Sequence, residues 1–184
     1  VPLVFHVHST EHRRTMGGGS PVVNALESTG VSTSDLVVTV SYAMRDELLS
    51  LGFPEQKIRV CYDAVDPNKY APSKIRAEDV KKLRERYGLT EGDKMILYVG
   101  RLTSVKGVDR LVNATPKILE KVPNAKLVIV GLGDLQDYLA GLVYSVGVGD
   151  HTTLRTEFIS EDERILHYAA CDVAVFPSLY EPFG

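Results

Sequence analysis

Cysteine occurs only twice in the 184 residues, at Cys61 and Cys171. A pair so far apart builds neither a disulfide framework nor a CxxC metal pair, so both are read as buried thiols at the ends of strand-like segments. No apolar run approaches the roughly 20 residues that cross a bilayer as a helix. Nor do the first residues combine a basic stretch, an apolar stretch and a cleavage site, so no transmembrane segment and a cytoplasmic address are expected. Positive charge is not in excess: 21 Lys and Arg face 24 Asp and Glu, a net charge of -3. That leaves no basic footprint for nucleic acid, and any anion must be gripped locally by a few placed groups. A Gly-x-Gly-x-x-Gly run after a strand is also missing. Gly131-Leu132-Gly133 lacks the third glycine, which argues against a dinucleotide and for a plain tight turn.

What is present is globular: 44% hydrophobic with 24% charged residues is too apolar for disorder. Short apolar runs rich in β-branched residues recur at 3–7, 36–40, 58–61, 95–99, 126–130, 153–158 and 172–176. Most are separated by segments with helical punctuation, the alternation of parallel βαβ units. Ser20-Pro21 opens a helix to about Thr29, preceded by Gly17-Gly18-Gly19 as a flexible connection. Ser41 opens another helix that Gly52 ends, and Val80, Leu83 and Tyr87 recur at helical spacing before Gly88. Ser160 and Glu163 have capping-box spacing for a helix to about Ala170. The helix at 108–121 contains Pro116, which predicts a kink or a break.

The strandless, charged stretch 66–93 reads as a crossing between two Rossmann-like doubly wound α/β parts, 1–65 and 94–184. Three strands before it and four after are too few for two whole domains. With Val1 as first residue, the expectation is a piece of a longer protein.

In an open α/β sheet ligands bind beyond the carboxyl ends of the strands. After the run 95–99, Gly100 allows a close backbone turn, Arg101 offers a fork of donors, and Lys106 adds a point charge beside Gly107 at a helix start. This is a plausible cradle for a diphosphate. A few residues past the last strand-like run, Glu181 could accept hydrogen bonds from sugar hydroxyls. A different class is open at the other end. His6 and His8 lie two apart on one face of a strand, with Glu11 and His12 soon after, as in a metal-dependent hydrolase. A non-catalytic α/β binding module is a further alternative.

Two stretches carry a family resemblance: Val99-Gly100-Arg101-Leu102 with Lys106-Gly107, and the run from Ile165 through Phe176-Pro177-Ser178-Leu179-Tyr180-Glu181-Pro182-Phe183-Gly184. They resemble the diphosphate loop and the paired-glutamate approach of retaining GT-B glycosyltransferases, the group 1 enzymes that include archaeal and bacterial glycogen synthase-like proteins. The resemblance covers nearly the whole chain. It implies that Gly100, Arg101 and Lys106 hold the donor's diphosphate, that Glu181 is the first of two glutamates at the donor sugar, and that Ile159 lies against the nucleotide base. Val4-Phe5-His6-Val7-His8-Ser9 is similar to the strand whose terminal histidine reaches the donor sugar, which implies that role for His8.

The implied reaction is a metal-independent, retaining transfer of a hexosyl group to a glycan such as glycogen or another α-glucan, with ADP-glucose or UDP-glucose as donor and no cofactor. A sucrose-phosphate-synthase-like transferase and a sugar-nucleotide epimerase are alternatives within the fold. One departure stands out: Asp63-Ala64-Val65-Asp66 replaces the family's usual Asn-Gly-Val-Asp. A carboxylate at 63 would repel a diphosphate unless it is turned away or paired.

Overall fold

The structure is a computed structural model and describes residues 1–183. Its elements follow in the order β1 (Val4–Val7), α1 (Glu11–Arg14), α2 (Pro21–Thr33), β2 (Leu36–Thr39), α3 (Tyr42–Ser50) and β3 (Ile58–Val60). They continue with α4 (Ala77–Arg86), β4 (Lys94–Val99), α5 (Val108–Lys121), β5 (Ala125–Val130), α6 (Gln136–Ser145), β6 (Thr152–Arg155), α7 (Glu161–Ala170) and β7 (Val173–Ala174). Two compact units result, Val1–Val65 with the segment from Tyr180, and Asp66–Leu179. Among the described residues no helix is long and apolar enough to cross a membrane.

The first unit is built on a parallel sheet of order β1-β2-β3. Val7, Val37 and Ile58 from the strands pack with Val31 of α2 and with Met44 and Leu48 of α3, and Tyr180 joins this core. The second unit is a parallel sheet of order β6-β5-β4-β7. Strand side chains alternate between faces, so the continuous apolar runs of β4 and β5 imply burial on both. Ile96, Tyr98, Leu127 and Ile129 pack under Val108, Val112 and Leu139 of α5 and α6. Met95, Leu97, Val128 and Val130 pack under Leu83 of α4 and Ala170 of α7. Each such buried side chain contributes about 1.5–3 kcal/mol relative to exposure, which makes the β4–β5 pair the rigid base of whatever its loops do.

Several boundaries differ from expectation. The helix begun at Pro21 continues past Thr29 to Thr33, and Ser20 makes no side-chain cap. The glycines before it are no loose connection: the Ser20 amide donates to Glu11 Oε1 at 3.0 Å, and a Cβ on Gly19 would meet Glu11 Cγ at 2.5 Å. Ser41 caps α3 by accepting from the Met44 amide, as its spacing requires. α5 runs unbroken through Pro116, because the stripe Val108, Leu111, Val112 and Thr115 stays buried up to the proline. β7 is only two residues long, although Asp172 and Val175 extend its ladder by donating to Met95 and Leu97. An edge strand bonded on one side has fewer partners to hold it. The cysteines are not both buried: Cys61 is exposed and Cys171 half-buried, since Cys61 lies just past the end of an edge strand.

Candidate functional site

The carboxyl ends of β4, β5 and β6 present three loops on the second unit. The first is held by its own backbone. The Tyr98 hydroxyl, its ring fully buried, donates to the Arg101 carbonyl at 2.7 Å, and the Gly100 and Leu102 amides donate to Val130 and Leu132 at 3.0 and 2.8 Å. Leu102 is buried while Arg101 is exposed, so the anchor leaves the guanidinium outward. A 3-10 turn, Ser104–Lys106, then leads into Gly107, whose φ of +60° starts α5 without a side-chain cap.

Two glycines set how closely these segments approach. A Cβ on Gly107 would lie 2.3 Å from the Pro177 carbonyl oxygen, and one on Gly131 would lie 1.8 Å from that of Gly100. No side chain fits at either place. The second loop therefore packs directly on the first, a structural reason for its glycines. The run after β7 packs there too, with the Leu179 amide donating to Val105 at 2.8 Å. The two sequence stretches thus adjoin within this unit, as far as Leu179.

A cavity of about 270 Å³ opens at these loops, lined among others by Gly100, Arg101, Gly131, Ile159 and Arg164. It brings together Gly100, Arg101 and Ile159 from the predicted set. Lys106 is half-buried at the start of α5 and is not among the lining residues. Sequence reasoning missed Glu157, Phe158 and Arg164, which also line the cavity. Phe158 stands in the run that yielded Ile159, and Arg164, four residues after the Ser160 cap, sits one turn into α7.

Behind the cavity wall lies a connected polar cluster. Arg155, the last residue of β6, donates to Glu157 and, at 2.6 Å, to Glu163 Oε1. Glu163 also accepts from Arg86 at 2.9 Å, and the Arg155 guanidinium holds its carboxyl below the usual range. Ser160 caps α7 by accepting from the Glu163 amide, but the Glu163 side chain turns to the arginines, so only half of a capping box forms. His167 is fully buried. Its Nδ1 lies 2.6 Å from the Glu163 carbonyl and its Nε2 2.7 Å from the Tyr87 hydroxyl. A carbonyl only accepts, so Nδ1 carries the proton and Nε2 accepts from Tyr87. Burial pushes the imidazole pKa down.

In the first unit, His8 at the end of β1 faces Asp63, Nδ1 to Oδ2 3.6 Å. The carboxylate that departs from the family pattern therefore lies beside an imidazole, at a separation longer than a hydrogen bond. Both groups are largely exposed, so the pair adds little stability. The His6 and His8 rings lie 4.0 Å apart. Among the described residues they are not joined by a third histidine, cysteine or acid in a cluster able to hold a metal ion. Glu181 is exposed and lines a cavity of about 410 Å³ with Arg13, Glu47 and Tyr180. There Glu47 accepts from Thr10 and, at 3.3 Å, from the Tyr180 hydroxyl. Burial, then Glu47, pushes the Tyr180 phenol up to about 12.

Residues 79–184 match the family model of glycosyl transferases group 1, and residues 1–69 that of glycosyltransferase family 4. The chain is 40% identical to an uncharacterized glycosyltransferase of Methanocaldococcus jannaschii, aligning over 100% of its own length and 47% of that protein. It is 35% identical to a glycogen synthase of Mycobacterium tuberculosis, over 100% of itself and 42% of that protein. The chain thus spans about half the length of these relatives. Anabaena HepE, solved with UDP and glucose, superposes with a TM-score of 0.82 at 23% identity, covering 100% of this chain and 48% of that one. Sucrose-phosphate synthase of Thermosynechococcus elongatus superposes at 0.81 and 24% identity, covering 98% and 45%. The parallel-sheet α/β architecture is that of the GT-B glycosyltransferases.

Proposed function

From the premise that the chain belongs to the glycosyl transferases group 1 family, we propose that the full-length protein containing it, called the full chain below, is a retaining hexosyltransferase. It moves glucose from ADP-glucose or UDP-glucose to a glycan acceptor such as an α-glucan, without a metal or other cofactor, in the cytoplasm. The observation that carries this reading is the cavity at the ends of β4, β5 and β6, where Gly100, Arg101 and Ile159 meet. The choice of glucose and α-glucan is supported by the likeness to a glycogen synthase.

In this reaction the bond between the anomeric carbon and the diphosphate oxygen breaks, and its electron pair leaves with the nucleoside diphosphate. The acceptor hydroxyl oxygen bonds the anomeric carbon from the same face, and its proton passes to the departing phosphate oxygen. Arg101 and Lys106 neutralise the charge that grows on the leaving group, work a metal ion does elsewhere. Ile159 packs against the base. The protein's part is positioning and electrostatics, with no covalent intermediate on the chain.

Lys106→Ala in the full chain is expected to lower kcat and kcat/KM together by about 100-fold, since the opposed charge is largest in the transition state. An unchanged turnover rate removes Lys106 from the mechanism. Calorimetric titration with ADP-glucose, UDP-glucose and free glucose, followed by product analysis on maltooligosaccharides, tests the donor class. Sugar nucleotides that bind no better than glucose sink the reading.

A further inference from the structure

The loop between β6 and α7, residues 156–160, brings two apolar side chains, Phe158 and Ile159, to the cavity, beside Val99, Val130 and Leu132 from the ends of β4 and β5. Phe158 is 84% exposed. An aromatic of that size left in water forgoes the stabilisation of burial, and Phe158 belongs to none of the core clusters. The loop beneath it, by contrast, is tightly held. Arg155 enters the loop with its side chain only 18% exposed and grips Glu157 inside the loop and Glu163 beyond it. Its carbonyl accepts from the Gly131 amide at 3.0 Å, tying the same residue to the glycine loop. Arg86 and the Tyr87–His167 pair close the cluster from α4 and α7. A guanidinium fork bonded to two carboxylates fixes direction as well as distance.

We propose that Arg155 is a positioning residue that holds the 156–160 loop so that Phe158 and Ile159 form a wall for the planar base of a nucleoside diphosphate. This rests on the donor-site reading above and deepens it. The base, an aromatic ring with a polar edge, covers the exposed Phe158 face, and the diphosphate lies toward Arg101. Arg155 itself touches neither.

The test separates base from phosphate. The full chain and its Arg155→Gln and Phe158→Ala variants are titrated calorimetrically with UDP, ADP, GDP and inorganic pyrophosphate. Arg155→Gln is expected to weaken the best nucleoside diphosphate by about tenfold while pyrophosphate affinity moves less than about twofold. Phe158→Ala, which leaves the core intact, is expected to shift binding in the same direction. Equal losses for nucleotide and pyrophosphate would mean a general disturbance and overturn the proposal, as would unaltered nucleotide binding in both variants. If Arg155→Gln melts below the assay temperature, Arg155→Lys, which keeps the charge but loses the fork to Glu157 and Glu163, takes its place under the same two outcomes. An unsubstituted chain that binds none of the three nucleotides defeats the donor reading itself, and this inference with it.

Discussion

His167 has both ring nitrogens engaged and no exposure, so its proton is fixed on Nδ1 and the ring is kept neutral. Its pKa in the fold lies below the ordinary value of 6.5. As pH falls through that value the unfolded chain takes up a proton that the folded chain does not, so stability declines on acidification. The urea midpoint is expected to drop between about pH 7.5 and about pH 5.5, more steeply than in His167→Gln. A midpoint that rises on acidification would mean the imidazole gains its charge inside the fold. None of this was legible in the sequence, where His167 is one polar residue on an amphipathic helix and its partner Tyr87 belongs to a distant segment. Arg101 was legible because its loop follows an unmistakable strand. The approach of Asp63 to His8 was not, since it joins the ends of two strands that only folding brings near.

At the scale of elements, β4 and β5 were the most readable, their unbroken apolar runs requiring cover on both faces. β7 was read too long, because a run of apolar residues marks strand character but not how many neighbours a strand will find. The proline in α5 misled in the other direction: local chemistry asked for a break, and the buried stripe overrode it. Pro116 removes the amide that would donate to Val112, while the Thr115 hydroxyl donates to the Leu111 carbonyl at 2.9 Å. Pro116→Ala restores the missing bond and is expected to stabilise the chain. The gain is about 1–2 kcal/mol, because the roughly 3 kcal/mol helix penalty of proline is offset in part by its restriction of the unfolded chain. Denaturant unfolding of the two forms measures it, and a loss of stability would show that the helix depends on the ring.

Across the whole molecule, each sheet ends in edge strands among the described residues: β1 and β3 in one, β6 and β7 in the other. Such edges present open backbone groups, and at β1 both Val4 and the preceding Leu3 are exposed. The 184-residue chain expressed alone is expected to self-associate with rising concentration, and Val4→Lys to reduce this, because an edge lysine opposes strand addition. Light scattering across a dilution series reads both, and a strictly monomeric chain at all concentrations would show the edges to be harmless. The strandless stretch 66–93 belongs to the second unit, where Leu83 of α4 joins the core, and the entry of Tyr180 into the first core was not legible, since a lone aromatic in a turn carries no period. The accessible Cys61 gives the molecule a further use. With Cys171 half-buried and its thiol pKa pushed up by burial, a maleimide dye would react first at Cys61. That places a fluorescent reporter two residues before Asp63, beside the histidine pair, without altering a single native side chain beforehand.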